Sequence, residues 1–334
     1  MKRILVTGGL GYIGSHTCVA LIEAGYQPVV IDNLYNTRIE VKSAIEEITR
    51  SKIEFYELDA KNTDEVAEAI GEIHGVIHFA ALKSVGESIE KPMEYYTENL
   101  ESLLSIIEVA NRKGAKSFIF SSSATVYGNT KKCCVNEDTP LEKPLNPYGH
   151  TKLLGEKILK SGKHEFKTIL LRYFNPVGAH KSAKIGELPN GIPNNLVPYI
   201  TQTAAGKREK LTVFGNNYDT KDGTCIRDFI HVMDLSEAHV ASLKYSESMS
   251  ETVDVFNVGT GKGNTVLELI ETFERVNDVK LNYSFGPRRK GDIESIYTKT
   301  DKIENKLNWH AKKNLAQSLR DSWQWERKSK SQDI

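Results

Sequence analysis

Short apolar runs alternate with amphipathic stretches through the first half of the chain and predict an α/β fold, a doubly wound parallel sheet with helices on both faces. Two further features support this. A glycine-rich turn separates the first apolar run from the first amphipathic stretch, and an aspartate closes the second run. Strands are expected at 3–7, 28–32, 53–59, 76–80, 117–123 and 168–175, with helices at 12–24, 39–50, 63–70, 92–113 and 147–160. Beyond about residue 176 the alternation weakens and Asn, Pro and Gly become frequent, as in 186–198 and 215–223. Helices are expected there at 196–205, 232–245 and 266–276, and a strand at 253–259 that returns to the main sheet. The expected division is a dinucleotide-binding part over 1–176, with a returning segment near 232–262, and a smaller, irregular α/β substrate-binding region over 177–334.

Composition narrows the function classes. The 334 residues are 39% hydrophobic and 26% charged, with a formal net charge of zero, so the chain carries no electrostatic footprint for nucleic acid. No apolar run approaches the ~20 residues that span a bilayer. The run that opens at Ile4 breaks at Thr7-Gly8-Gly9, too early for a signal peptide, and reads as the first strand. Four cysteines form no CxxC pair and nine histidines no HExxH, which favours a reduced, cytoplasmic protein without a metal site. The tail with Glu326, Arg327, Lys328 and Lys330 reads as a solvated terminus.

The turn after the first strand holds GxGxxG (Gly9, Gly11, Gly14) and GxxGxxG (Gly8, Gly11, Gly14) in overlapping frames. Glycines here allow a tight turn, close approach of a pyrophosphate, and packing of helix on strand, while the helix N-terminus offers N–H groups to the phosphates. This makes the sheet Rossmann-type. Asp32 ends the second strand 18 residues after Gly14. A carboxylate there accepts from both adenosine ribose hydroxyls and repels a 2′-phosphate, which points to NAD rather than NADP. Asp59, at the end of the third strand, either approaches the adenine or caps the next helix.

A second signal is Pro147-Tyr148-Gly149-His150-Thr151-Lys152. Asn146 and Pro147 suit N-cap and first helical position, so Tyr148 and Lys152 share one face a turn apart. A tyrosine's ordinary pKa of about 10 is too high for a base at neutral pH. Lowering it to about 7 takes on the order of 4 kcal/mol, which an adjacent ammonium and a cationic nicotinamide can supply. Ser123, ending the strand at 117–123, is placed to bond the reacting oxygen. Together these residues indicate hydride chemistry at a secondary alcohol.

The stretches TGGLGYIGSH (7–16), FAALKSVGES (79–88), SSSATVYG (121–128), NPYGHTK (146–152), LRYFNPVGAH (171–180), GIPNNLVPYI (191–200), DGTCIRDFIHVMDL (222–235) and RRKGD (288–292) resemble the UDP-glucose/UDP-galactose 4-epimerases of the extended short-chain dehydrogenase/reductase family. The resemblance covers essentially the whole chain. It implies an isomerase that inverts C4 of UDP-galactose and UDP-glucose through a 4-keto sugar, with NAD tightly bound and regenerated at each turnover. It places Tyr148 as base, Lys152 on the nicotinamide ribose and Ser123 at the sugar O4. Gly8, Gly11, Gly14 and the backbone of Tyr12 and Ile13 meet the pyrophosphate, Asp32 and Asn33 the adenosine ribose. Asp59, Ala80, Lys83, Asn99 and Phe174 line the rest of the cofactor site. For UDP it implies Asn175, Asn195, Leu196 and Phe214, with Arg227, Arg289 and Asp292 about the phosphates and ribose. It further implies a homodimer built from the helices at 92–113 and 147–160.

Alternatives fall at named positions. Nucleotide-sugar 4,6-dehydratases carry an Asp-Glu pair where this chain has Ala124-Thr125. A UDP-uronate epimerase needs a cation for the C6 carboxylate. A non-enzymatic NAD sensor would not need Ser123, Tyr148 and Lys152 together. Ile296 stands where the family's tyrosine excludes N-acetylated sugars and small residues admit them, so UDP-N-acetylhexosamines are expected to be poor substrates.

Overall fold

A computed structural model describes residues 1–289 and 292–330. The first half runs β1 (Arg3–Thr7), α1 (Tyr12–Glu23), β2 (Gln27–Asp32), α2 (Glu40–Thr49), β3 (Glu54–Glu57), α3 (Thr63–Ala69), β4 (Gly75–His78), α4 (Val85–Glu90), α5 (Pro92–Arg112), β5 (Ser117–Ser123), β6 (Cys134–Val135), α6 (Pro147–Ser161) and β7 (Lys167–Tyr173). The second half continues with β8 (Asn175–Val177), α7 (Leu196–Ala204), β9 (Leu211–Phe214), β10 (Ile226–His231), α8 (Val232–Ser246), β11 (Val253–Val258), β12 (Gly263–Thr265), α9 (Val266–Asn277), β13 (Tyr283–Gly286), β14 (Ser295–Thr298), α10 (Asp301–Leu307) and α11 (Leu315–Lys330).

Seven strands form one parallel sheet in the order β11-β7-β5-β4-β1-β2-β3. Each strand is apolar on both sides because helices cover both faces. Ile4 and Val6 join the layer under α1 and α8, while Leu5 joins the layer under α3, α5 and α6. Chain order reverses at β1, whose neighbours are β2 and β4. Helices leave opposite faces at such a reversal and open a crevice beyond the strands' carboxyl ends, where ligands bind. Thr7, Asp32, His78 and Ser123 all lie at those ends.

The second half supplies the wall over the crevice. Strands β12, β10, β14 and β6 form another sheet, with β8 added to β10, and β9 pairs with β13. The strand expected at 168–175 is therefore two: β7 stays in the central sheet, and the chain crosses at Phe174 to place Asn175 against Phe229 of β10.

The expected solvated terminus is corrected at Glu326, which is buried, while Arg327 and Lys328 stay exposed. Residues 315–330 are a helix that buries Leu319 and Glu326. Glu326 accepts from Thr201 Oγ1 at 3.2 Å, Ser322 Oγ accepts from the Gly178 N–H at 3.1 Å, and Trp325 donates to the Glu187 carbonyl at 3.0 Å. A few apolar residues spaced i, i+4 among many charges hid its amphipathic stripe.

Candidate active site

The turn after β1 is built on backbone contact. Gly8 has φ 65° and donates to the Ile31 carbonyl at 2.8 Å. A Cβ at Gly8 would lie 3.0 Å from the Ala80 nitrogen, and one at Gly14 would fall 2.3 Å from the Gly8 carbonyl oxygen. Gly11 caps α1 without a side chain, and no acid stands in the first turn, so the positive end of the helix faces the crevice open. Ala80 N–H is held by Thr7 Oγ1 at 3.1 Å. Tyr12 donates to the Gly178 carbonyl at 2.7 Å, tying the start of α1 to the second half, and Ile13 packs on the core. This cradle fits a dinucleotide's pyrophosphate.

Asp32 holds the backbone around it in a way that the sequence did not suggest. Its carboxylate accepts from the N–H groups of Leu10 and Leu34 at 3.1 and 3.0 Å and from Thr37 Oγ1 at 2.7 Å, so it organises the turns that flank the crevice. Asn33 donates to Asp59 at 3.3 Å. The N-cap of α3 is Asn62, which removes the helix-cap reading of Asp59. Asn99 clasps the backbone of Leu82 from both sides, at 2.7 and 3.0 Å, and reaches Thr151 of α6.

Ser123, Tyr148 and Lys152 come together at the end of β5. Asn146 caps α6 through the Gly149 N–H at 2.8 Å and Pro147 follows, as expected. Ser123 accepts from both the N–H and the hydroxyl of Thr125 and lies close enough to Tyr148 to favour its ionised form. The Lys152 ammonium lies 5.8 Å from the Tyr148 ring centroid and 5.1 Å from that of Phe120. Burial pushes the Tyr148 phenol up to about 12, with the Ser123 hydrogen bond opposing it. Burial also pushes Lys152 down to about 7. The expected lowering of Tyr148 by the ammonium does not appear: burial dominates, and Ser123 is the group that opposes it. Burial thus disfavours the charged form of both side chains.

Phe174, buried, packs with Val126, Tyr127, Leu153 and Ile296. Ile296 lies beside Arg227 in the register of β14 on β10. Arg227 and Arg289 converge on Asp292: Arg227 Nη2 reaches it at 3.3 Å, and Arg289 makes two bonds of 3.0 Å. The Arg289 guanidinium stands 5.5 Å from the ring of Phe214, which is exposed at the end of β9. Ile296 thus joins the apolar cluster around Phe174 and Leu153 to the strand that carries Arg227. Residues 290 and 291 of the RRKGD stretch lie outside the described residues.

Asn175, Asn195 and Leu196 line a cleft between β8 and the start of α7. Glu187 in that cleft was missed by the sequence reading. It accepts from Lys83 at 3.1 Å and Asn195 at 2.6 Å, joining the loop after β4 to the start of α7. An isolated acid in a Gly/Pro-rich loop gives no pattern that would find it. No helix among the described residues is long and apolar enough to cross a membrane.

Comparison with known proteins adds the following. The sequence family described as GDP-mannose 4,6 dehydratase matches residues 5–322. A UDP-glucose 4-epimerase of Bacillus subtilis (strain 168) is 49% identical over 97% of this chain and 96% of its own length. One of Dictyostelium discoideum is 47% identical over 97% and 95%. The crystal structure of UDP-glucose 4-epimerase from Bifidobacterium longum in complex with NAD+ and UDP superposes with a TM-score of 0.94 at 41% identity, covering 98% of this chain and 99% of that one.

Proposed function

The chain belongs to the UDP-glucose 4-epimerase family and catalyses the NAD-dependent interconversion of UDP-galactose and UDP-glucose, and we propose that Tyr148, Lys152 and Ser123 carry the reaction. The observation behind this assignment is the meeting of those three side chains at the carboxyl end of β5, across the crevice from the glycine cradle. Bound NAD supplies the acceptor and later donor of the C4 hydride, together with a positive ring that favours the Tyr148 phenolate. Tyr148 takes the 4-OH proton, leaving a 4-keto sugar still joined to UDP, and gives it back after the sugar has presented its other face. Ser123 bonds the reacting oxygen and Lys152 orients the nicotinamide ribose. Arg227 and Arg289 grip the diphosphate through charge-assisted bonds while the sugar turns. Gly8, Gly11 and Gly14 with the N–H groups at Tyr12 and Ile13 hold the pyrophosphate. Asp32, Asn33, Asp59, Ala80, Lys83, Asn99 and Phe174 surround the rest of the cofactor, and Asn175, Asn195, Leu196, Phe214 and Asp292 the uridine and its phosphates.

In this reading residues 1–176, with the returning segment near 232–262, hold NAD, and 177–334 hold the UDP-sugar. Dehydration is disfavoured because Ala124-Thr125 offers no acid, and Thr125 spends its hydroxyl on Ser123. A homodimer through α5 and α6 is part of the proposal, supported by Met93 and Leu104 standing exposed on α5.

Two outcomes test the roles. Ser123→Ala removes the bond that lowers the Tyr148 pKa, so kcat should fall about ten-fold or more, with its acid limb moved to higher pH. An unchanged limb would remove Ser123 from the chemistry. At Ile296, buried beside Phe174, UDP-galactose should be turned over at least about ten-fold faster than UDP-N-acetylgalactosamine, and Ile296→Gly should narrow that gap. Equal turnover of the two sugars by the unmodified enzyme contradicts this.

A further inference from the structure

Beneath the active site lies a buried polar network that the proposed chemistry does not use. Glu156, one turn beyond Lys152 on α6, is 1% exposed, and Arg172 of β7 is 2% exposed. Arg172 grips Glu156 in a fork, Nε to Oε1 at 2.8 Å and Nη2 to Oε2 at 2.7 Å. Ser122 Oγ of β5 donates to the same carboxylate at 2.6 Å, and Lys160 reaches it at 3.2 Å. Arg172 Nη1 donates to the Tyr127 hydroxyl at 3.1 Å, and Tyr127 reaches Asn257 of β11 at 2.7 Å. Asn257 N–H in turn donates to Glu137 at 2.7 Å.

Each anchor lies beside a residue of the proposed site. Ser122 precedes Ser123, Glu156 follows Lys152 by four residues, Arg172 precedes Phe174 by two, and Tyr127 ends the 3-10 turn that starts after Ser123. We propose that Arg172 and Glu156 are positioning residues for the epimerisation, locking α6 onto the ends of β5 and β7 so that Tyr148 meets Ser123. The proposal rests on the reading of Tyr148 as the base.

Stability does not account for such a pair. Desolvating two charges can cost more than their attraction returns, and apolar replacements of similar volume are often neutral or stabilising. Leu159 and Phe120 already pack α6 to the sheet in this layer. What an apolar contact lacks is register, since a greasy helix face can slide or rotate by a fraction of an ångström. A forked guanidinium–carboxylate contact with a third bond from Ser122 fixes both movements. A displacement of about 1 Å at a reacting group can cost on the order of a hundred-fold in rate. The groups that face Glu156 are Arg172, Lys160 and Ser122, and those that face Tyr148 are Ser123, Lys152 and Tyr173.

The experiment compares the full-length holoenzyme with the Glu156→Leu/Arg172→Met double variant and with Ser122→Ala, and includes Tyr148→Phe. Read-outs are the thermal midpoint, NAD content, kcat and KM for UDP-galactose, and the pH profile of kcat. The double variant should fold and keep its NAD, with kcat lower by roughly ten- to hundred-fold and KM within about two-fold of the parent. Its acid limb should move to higher pH, because a loosened Ser123 contact lowers the Tyr148 pKa less. Ser122→Ala should move kcat and the limb the same way by a smaller amount. A folded double variant with parental kcat and pH limb overturns the proposal. If the double variant does not fold, a parental kcat and limb in Ser122→Ala overturns it instead. Tyr148→Phe separates the two failures: activity there sinks the reading of the base, while an inactive Tyr148→Phe beside parental network variants sinks the positioning role alone.

Discussion

Tyr148→Phe is expected to lower kcat by about 10³-fold or more while leaving the fold and the bound NAD in place. The substitution removes one oxygen, keeps the ring at the head of α6, and leaves the Asn146 cap and the Arg172–Glu156 network intact. Among the described residues, the groups beside Tyr148 are poor substitutes for the proposed phenolate. Ser123 holds its proton at neutral pH, and Lys152, pushed down to about 7 by burial, reaches the Tyr148 ring only at 5.8 Å from its centroid. Stopped activity with unchanged NAD content and thermal midpoint is the predicted combination. Activity within about ten-fold of the parent would move the base elsewhere.

Gly14→Ala is expected to strip the chain of its cofactor. The new methyl would lie 2.3 Å from the Gly8 carbonyl oxygen and 2.8 Å from the Gly9 Cα, both backbone atoms that cannot swing aside. Helix α1 must then back away from β1, which misplaces the N–H groups of the cradle and costs about 1–3 kcal/mol in packing. NAD released by acid from the purified variant should fall well below one per chain, with a lower thermal midpoint. Gly86→Ala in α4 is the control, because its Cβ would meet nothing within 4 Å. Equal NAD content and midpoint in Gly14→Ala and parent would contradict the cradle.

The sequence makes the central sheet plain for a physical reason. Strands buried on both faces are apolar runs, and the helices between them are bounded by glycines, a proline and an asparagine cap that act locally. The second half is less legible because its strands are short, and β12, β14 and β6 find partners far along the chain. Helix α11 was hidden because its buried face mixes Leu319 with Ser322 and Glu326.

The candidate site divides in the same way. Ser123, Tyr148 and Lys152, which the structure brings together, follow from a strand end and one helical turn. The meeting of Arg227, Arg289 and Asp292 follows from no local pattern and entered only through resemblance. Glu187 and the Glu156–Arg172 pair entered by neither route, since an acid on a helix reads as a surface residue until the partner from a distant strand is seen.

The most direct test of the whole account is proton NMR of UDP-galactose incubated with purified protein in deuterium oxide, without added NAD. UDP-glucose should appear as the product, with the C4 hydrogen retained, because the hydride goes to a resident cofactor and comes back. Deuterium at C4, a strict need for added NAD, or a 4-keto-6-deoxy product would contradict it.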